Sequence, residues 1–172
     1  MRRLLTVLAI AVLGLTLVQA PAYAADLVYK IINDRSDRCL DQDYTGGSPH
    51  ATVQVWNCIN PGDNQKWKLH AVGGSSDYQL INVRSHQCLD QDYSGGTVHL
   101  KVTAHACNDG LNQMFKVVWD SVAVTARIEV PLSPDAYPYC LDQDYSGGMQ
   151  HSTLLVYRCN GGSNQTWVMV DA

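Results

Sequence analysis

CLDQDYTGG at 39–47, CLDQDYSGG at 88–96 and CLDQDYSGG at 140–148 are three copies of one motif. In each copy a histidine follows 11 residues after the cysteine, and a second cysteine follows 19 residues after it. An Asn-Gln-x-aromatic motif then completes each unit. A repeat of about fifty residues that includes polar side chains indicates three units with the same chemistry and the same packing. This repetition favours a multivalent binding protein, because an enzyme needs one asymmetric constellation of residues.

The six cysteines all belong to these units, which is typical of a disulfide framework in an oxidising compartment. If the three units fold alike, the bonds join Cys39 with Cys58, Cys88 with Cys107, and Cys140 with Cys159. Each bond would close a loop of about twenty residues and stabilise the fold by about 3 kcal/mol on the chain-entropy model. Zinc binding is the alternative, although the sequence contains no C-x-x-C pair.

Residues 1–24 are predicted to be a signal peptide. Two arginines precede the apolar run 4–18, and Ala-Tyr-Ala at 22–24 has the small-x-small pattern of a cleavage site. A membrane anchor is the alternative, but the run is shorter than the roughly twenty residues of a bilayer span. The mature chain is therefore expected to begin near residue 25, to be secreted and not to insert into a membrane.

The charge of the chain excludes one large class of partner. The sequence has 12 basic and 16 acidic residues, a net charge of −4, and loss of the two arginines of the leader lowers it to −6. Such a surface repels phosphate backbones and anionic lipid, so we expect no nucleic-acid partner.

Secondary structure is predicted to be strands almost throughout, because short alternating or β-branched segments are separated by Gly, Pro, Asn and Asp turns. Clear strand segments lie at 27–32, 52–56, 67–72, 78–83, 100–105, 115–118, 122–130, 153–157 and 166–170. Three equal units predict twelve strands, four in each, closed into a threefold barrel without exposed sheet edges. The third unit has three extra residues and several prolines before its first cysteine, so its first turn is expected to be longer.

Cys-Leu-Asp early in each unit, the second cysteine and the terminal Gln-x-Trp or Gln-x-Phe resemble the ricin B-type lectin family. The resemblance covers all of 25–172 and extends to the carbohydrate-binding modules of secreted bacterial glycosidases. It implies an all-β fold, the β-trefoil, with pseudo-threefold symmetry. We expect its repeats at about 26–73, 74–125 and 126–172.

The resemblance also implies one sugar site in each unit. In this family the aspartate after Cys-Leu accepts hydrogen bonds from sugar hydroxyls, an asparagine adds a second contact, and an aromatic ring two residues before the second cysteine stacks on the sugar. The corresponding positions are Asp41, Gln54, Trp56 and Asn64 in the first unit, Asp90, His105 and Asn112 in the second, and Asp142, Tyr157 and Asn164 in the third. We expect the three carboxylates to face shallow hollows that are open to solvent.

The three sites are expected to be unequal. The first has every element, including Gln54 as an assisting polar residue, where the third unit has Leu155. The second has Thr103 at that position and uses His105 as its plate, a smaller ring that becomes charged below about pH 6.5. We therefore predict that the first site binds most strongly, the third less strongly and the second least.

The loop after each Cys-Leu-Asp is not explained by the general family pattern. We expect its second aspartate to hold the loop, its two glycines to make the turn, and its tyrosine to line the pocket wall. The histidine either reaches the same pocket or braces the loop, and the sequence leaves both interpretations open. The residues concerned are Tyr44, Tyr93 and Tyr145 with His50, His99 and His151. The loop resembles half of an EF-hand but lacks the glutamate at its twelfth position, so no metal or other cofactor is expected.

Structural interpretations stand beside these functional ones. A single aspartate in a tight turn often bonds its own backbone, and Trp56 and Tyr157 could pack on the disulfides. The glutamines of the Asn-Gln motif are expected to be structural, and the aromatics that end that motif to fill the barrel core, at Trp67, Phe115 and Trp167.

The sequence predicts a secreted, non-enzymatic carbohydrate-binding protein with up to three sites. The resemblance implies galactose-type sugars as the first candidate ligands, followed by xylan-like or other plant polysaccharides and mannose-type glycans. Catalysis by Asp41 and Asp43 is the first alternative, but the same pair recurs in every unit. The second is a trefoil interaction protein, such as a protease inhibitor or a toxin targeting subunit, whose function would lie in the segment 131–138. The oligomeric state is left open.

Overall fold

The computed structural model describes residues 27–73, 76–93, 100–121, 124–130, 132–146 and 151–172. The predicted signal peptide lies outside the described residues. No helix in these ranges has the length and apolar character needed to cross a membrane. The described strands are β1 (Leu27–Asn33), β2 (Cys39–Gln42), β3 (Val53–Trp56), β4 (Lys66–Ala71), β5 (Asp77–Asn82), β6 (Gln87–Gln91), β7 (Val102–Ala106), β8 (Phe115–Trp119), β9 (Thr125–Glu129), β10 (Tyr139–Gln143), β11 (Leu154–Arg158) and β12 (Trp167–Asp171).

Six of these strands close a barrel. Strand β1 pairs with β4, β4 with β5, β5 with β8, β8 with β9, β9 with β12, and β12 with β1, all antiparallel. Each unit contributes its first and fourth strands to this ring. Because the ring returns to β1, the barrel leaves no unpaired sheet edge, which is the closure that the repeat predicts.

The other six strands form one hairpin in each unit: β2–β3, β6–β7 and β10–β11. The hairpins bond one another in a cycle through equivalent backbone groups. The amide nitrogens of Val55, Ala104 and Val156 donate to carbonyl oxygens of the neighbouring hairpins, over 2.9, 2.8 and 3.1 Å. A six-stranded barrel capped by three hairpins with threefold symmetry is the β-trefoil, so the predicted fold is confirmed.

The core is built from the same positions of each unit. Trp67, Phe115 and Trp167 are fully buried, as predicted. The indole nitrogens of the two tryptophans donate to backbone oxygens of the Cys-Leu-Asp strands, from Trp67 to Leu40 at 3.0 Å and from Trp167 to Leu141 at 3.2 Å. Each ring therefore fixes the strand that carries the candidate aspartate while its apolar body fills the barrel.

The nine strand segments named from the sequence all correspond to strands, but β2, β6 and β10 were missed. These three strands carry the Cys-Leu-Asp-Gln motif. All four residues of β2 are buried, so the strand shows no alternation of apolar and polar residues. The interpretation of the repeated aspartates as turn residues that bond their own backbone is wrong, because Asp41, Asp90 and Asp142 lie within strands.

The three disulfides connect the predicted partners. The S–S distances are 2.03 Å for Cys39–Cys58, 2.05 Å for Cys88–Cys107 and 1.99 Å for Cys140–Cys159. Each bond joins the start of a hairpin to the segment that follows its second strand. The loop that carries the Asn-Gln motif is thereby held beside the hairpin that carries the aspartate.

Candidate functional site

The candidate residues of each unit share one face of a hairpin. In the first hairpin, Asp41 lies opposite Gln54 and Cys39 lies opposite Trp56. Residues two apart on a strand point to the same side, so the carboxylate, the amide and the indole lie side by side. This register explains the spacing of the motif. Gln54 lies opposite Asp41, and Trp56, two residues later, is the next side chain on the same face.

The other two hairpins have the same register. Asp90 lies opposite Thr103, with His105 one step along at Cys88. Asp142 lies opposite Leu155, with Tyr157 one step along at Cys140. Backbone geometry is therefore equal in the three sites, and the differences between them are differences of side chain.

Two amides from the Asn-Gln motif clamp the aspartate of the first unit. Asn64 Nδ2 and Gln65 Nε2 donate to Asp41 Oδ2 over 2.9 and 2.7 Å. Gln65 also donates to the Asn57 carbonyl oxygen at 2.9 Å and accepts from the Ile59 amide at 2.8 Å. Gln65 thus uses both ends of its amide and ties the carboxylate to the disulfide loop, in keeping with its predicted structural role.

This clamp recurs in the other units. Asn112 and Gln113 donate to Asp90 Oδ2 over 2.9 and 2.7 Å. In the third unit the two donors divide, with Asn164 bonding Asp142 Oδ1 at 2.8 Å and Gln165 bonding Oδ2 at 2.7 Å. In the first two sites both amides bond the same oxygen and leave Oδ1 free of them.

The aspartates are more enclosed than expected. The exposed fractions of Asp41, Asp90 and Asp142 are 4%, 8% and 5%. Burial raises the pKa of Asp41, and hydrogen bonds from Gln65 and Gln54 oppose that rise. Burial also raises the pKa of Asp142. In the first two sites a nearly buried carboxylate keeps one oxygen free of the Asn-Gln amides, and such a preorganised acceptor costs a ligand little reorganisation.

An open hollow of ≈ 540 Å³ surrounds the first site. Its walls include all four predicted residues of this site, together with the loop tyrosine, and the full lining is Asp41, Asp43, Tyr44, Thr45, Gln54, Trp56, Ile59, Asn64 and Arg84. The structure thus brings the predicted first site together around one cavity.

The three candidate plates are exposed. Trp56 is 50% exposed and Tyr157 is 56% exposed, and His105 is also exposed. Rings that only packed against the disulfides would be covered. Their open faces are available to an apolar ligand surface, which is what stacking on a sugar requires.

The loop of the first unit is held by its own side chains. Asp43 Oδ1 accepts from the Thr45 amide at 2.9 Å and from its hydroxyl at 2.5 Å. These bonds lower the pKa of Asp43. Gly46 and Gly47 have φ of 73° and 80°, a region that favours glycine, so the pair makes the turn. The structure places His50 as a brace, with Nε2 2.8 Å from the Thr45 carbonyl oxygen.

The third loop repeats this arrangement over its described residues. Asp144 accepts from the Ser146 amide at 2.8 Å, a bond that lowers its pKa, and His151 Nε2 lies 3.3 Å from the Ser146 carbonyl oxygen. In the second loop, His99 lies outside the described residues. Among the described His, Cys, Asp and Glu side chains, no group of three or more is arranged to hold a metal ion.

Arg84 is the residue of the hollow that the sequence reasoning missed. It belongs to the second unit but lines the hollow of the first. A signal was present, because Arg35 and Arg84 occupy the same position before the first cysteines of the first two units. Only the packing of one unit on the next shows that this position faces the neighbouring site.

Known families and structures are similar to this chain. The family model for the ricin-type β-trefoil lectin domain-like family matches residues 19–97 and 63–137. A designed threefold symmetric protein, ThreeFoil, is 26% identical with a TM-score of 0.70, over 84% of this chain and 99% of that chain. No curated protein has a significantly similar sequence.

Two natural proteins show the same fold at lower identity. A ricin B-like lectin from Macrolepiota procera, solved in complex with lactose, is 18% identical with a TM-score of 0.66, over 87% of this chain and 98% of that chain. An exo-β-1,3-galactanase from Clostridium thermocellum is 24% identical with a TM-score of 0.68, over 85% of this chain and 30% of that chain. The fold therefore occurs both as a complete lectin and as part of a larger enzyme.

Proposed function

The chain belongs to the ricin-type β-trefoil lectin domain-like family, and from this membership we propose that it is a secreted, non-enzymatic carbohydrate-binding protein with up to three sugar sites. The leader-like sequence at 1–24 and the three disulfides, which form in oxidising compartments, support the proposal of secretion.

One observation carries the proposal: the clamped carboxylate of Asp41 and the half-exposed ring of Trp56 line the same open hollow. A pyranose presents hydroxyls on its edges and C–H groups on its faces. The carboxylate accepts hydrogen bonds from hydroxyls, and the indole offers an apolar plate to the C–H groups. Gln54 and Asn64 complete the rim with groups that both donate and accept.

Galactose-type sugars are proposed first as ligands. The Macrolepiota procera lectin of the same fold was solved with lactose, and the Clostridium thermocellum enzyme that contains the fold is a galactanase. Xylan-like and mannose-type glycans are the next proposed ligands. Each shallow site binds weakly on its own, and three sites on one polymer gain avidity of roughly 10²–10⁴.

A catalytic function is disfavoured, although neighbouring aspartates have pKa values shifted in opposite directions. The pKa of Asp41 is raised by burial, and that of Asp43 is lowered by its bonds to Thr45. Such a split is typical of an acid–base pair. The same split occurs at Asp142 and Asp144, so it follows from the repeated loop and not from one asymmetric centre.

The second candidate is a trefoil interaction protein that uses the loop peculiar to the third unit. Over its described residues 132–138 this loop is built around Ser133, whose hydroxyl lies 2.6 Å from the Asp135 carbonyl oxygen and 2.5 Å from the Tyr137 carbonyl oxygen and shares its one proton between them. Within this loop, Tyr137 is 58% exposed. This function predicts that partner binding survives loss of all three clamped aspartates and is lost on Tyr137→Ala.

A glycan array with the mature protein, followed by calorimetry on the sugar that binds, tests the proposed function. Asp41→Asn, Asp142→Asn and Asp90→Asn are expected to lower total binding in that order, with Asp41→Asn causing the largest loss. Asp63→Asn is the matched control, because Asp63 adjoins the Asn-Gln motif but pairs with Lys66 outside the hollow. Equal losses would contradict the ranking, and no bound glycan would overturn the proposal.

A further inference from the structure

Two arginines cross from one unit to the next and stack on the loop tyrosines. The Arg84 guanidinium lies 3.9 Å from the centroid of the Tyr44 ring, and the Arg35 guanidinium lies 3.8 Å from that of Tyr145. Each contact is a cation–π pair that fixes the position of an otherwise flexible side chain. The second unit thus contributes a residue to the first site, and the first unit contributes one to the third.

The side-chain N–H groups of these two arginines donate no hydrogen bond to any residue in the described part of the chain. Arg84 and Arg35 make no side-chain hydrogen bond and no ion pair with a described residue, whereas Arg127 and Arg158 are paired with Glu129 and Asp135. Both unpaired arginines are exposed. A guanidinium held over a ring makes its contact through the π face of that ring, and its N–H groups remain available to donate to a ligand.

Both arginines lie beside a candidate sugar site. Arg84 lines the hollow that contains Asp41 and Trp56. Arg35 is close to the third site because its guanidinium lies over the ring of Tyr145, three residues after Asp142. Burial raises the pKa of Asp142, and the charge of Arg35 acts to lower it. The donors are therefore placed at the rim of sites that already hold an acceptor and a plate.

The junction between the second and third units lacks this arrangement. The three extra residues of the third unit change the chain where the arginine would stand, and Leu132 instead exchanges two backbone hydrogen bonds with the Gln91 side chain, at 2.7 and 3.1 Å. Tyr93 is 46% exposed, and no arginine among the described residues lies over its ring. Tyr44 and Tyr145, which each have an arginine over the ring, are less exposed than Tyr93 and are half-buried.

We propose that Arg84 and Arg35 bind a second, neutral sugar residue, so that the first and third sites recognise a disaccharide unit and the second site recognises a single sugar. This inference rests on the proposed function. Two carboxylates, Asp41 and Asp43, share the first hollow with the single charge of Arg84. Because the hollow keeps a negative balance, a uronic acid is repelled there, and hydroxyl and ring oxygens are the acceptors for the guanidinium.

The test isolates the first site. Asp90→Asn and Asp142→Asn are combined to inactivate the other two sites, and Arg84→Met is added in a second protein. Calorimetry then compares galactose with lactose, xylose with xylobiose and mannose with mannobiose. For the pair that binds, Arg84→Met is expected to weaken the disaccharide about tenfold and the monosaccharide by less than about twofold, the effect of losing one charged donor. Arg84→Lys is expected to lie between these values, because lysine keeps the charge without the planar fork.

Arg127→Met is the matched control, because it removes an exposed arginine that pairs with Glu129 and does not line the hollow. Equal weakening of monosaccharide and disaccharide, together with a lower melting temperature, would reduce Arg84 to a brace between units and leave the proposed function standing. Tighter binding of a galactosyl-glucuronic acid than of lactose would overturn the choice of a neutral second residue. Absence of binding to every sugar pair would overturn the inference and the proposed function together.

Discussion

The first and second sites share one supporting structure and differ in the residues that face the ligand. Both aspartates accept from an asparagine and a glutamine at 2.9 and 2.7 Å. Outside this clamp, Gln54 and Trp56 of the first site correspond to Thr103 and His105 of the second. The first hollow also receives Arg84 from the next unit.

This difference shows that the repeated motif has two separate roles, support of the fold and contact with the ligand. The clamp of each unit ties the aspartate to the disulfide loop through its glutamine, so loss of that glutamine disturbs the fold of the unit. The residues that face the ligand, Gln54 and Trp56, are less enclosed and contribute less to packing, since Gln54 is half-buried and Trp56 is half-exposed. Because the two clamps make the same hydrogen bonds, equivalent mutations in them are expected to lower the free energy of unfolding equally. Because the residues that face the ligand differ, the two sites are expected to bind sugar with different affinities.

The largest expected effect tests the equality of the clamps. Gln65→Ala and Gln113→Ala each remove a buried side chain that bonds a carboxylate, a carbonyl and an amide. Because the carboxylate and the amide lose a partner in each case, the free energy of unfolding is expected to fall by about 2–4 kcal/mol in both variants. Chemical denaturation measures this. A loss at one glutamine only would show that the two clamps are not equivalent.

The second prediction, of intermediate size, tests whether the residues that face the ligand make the first and second sites unequal. His105→Trp gives the second site the plate of the first on a position that is exposed, so stability should change little. Sugar affinity of the second site, isolated by Asp41→Asn and Asp142→Asn, is expected to rise several-fold, since a tryptophan stacks over more area than an imidazole. His70→Trp, at another exposed histidine on a strand outside the hairpin, is the control. An unchanged affinity would mean that the ring two residues before the second cysteine does not contact the sugar.

The smallest expected effect concerns pH. Burial raises the pKa of Asp41, so sugar binding to the first site should weaken at a higher pH than for an ordinary aspartate, as the carboxylate protonates. Stability responds with the opposite sign. A folded-state pKa above the unfolded value means that protonation favours the folded state, so the contribution of Asp41 is fully present below the unfolded pKa and lost as pH rises through the folded pKa.

Calorimetric titration at a series of pH values, on the protein with only the first site intact, measures this dependence. Asp43 is affected in the other direction, because its bonds to Thr45 lower its pKa and it stays charged to lower pH. The charge of Asp43 also contributes to the raised pKa of Asp41, so the control is Asp63→Asn, which removes a carboxylate outside the hollow and should keep the acid dependence of binding. Binding that stays constant while the protein remains folded in acid would show that the Asp41 carboxylate does not accept from the sugar.

Much of the fold was predictable because the sequence repeats. The threefold closure, the twelve strands and the three disulfides all follow from the requirement that equal units fold alike. Strands β2, β6 and β10 were not predictable from periodicity. Their polar residues are buried, and they are satisfied by partners more than twenty residues away, such as Gln65 for Asp41.

The content of the candidate site was predictable, and its surroundings were not. The family resemblance, carried over onto the motif, named Asp41, Gln54, Trp56 and Asn64, and the structure gathers all four around one hollow. The enclosure of the carboxylates and the bracing position of His50 depend on side-chain directions that the sequence does not encode locally.

The sequence alone determined how many units there are and which cysteines pair, because both follow from the repetition of one unit. The tertiary structure alone decided what each unit receives from its neighbour. Arg84 reaches Tyr44 from a position forty residues later in the chain, and the contact exists only because the barrel closes and packs the two units together. Interactions between units depend on that closure, so they appear only when the whole chain has folded.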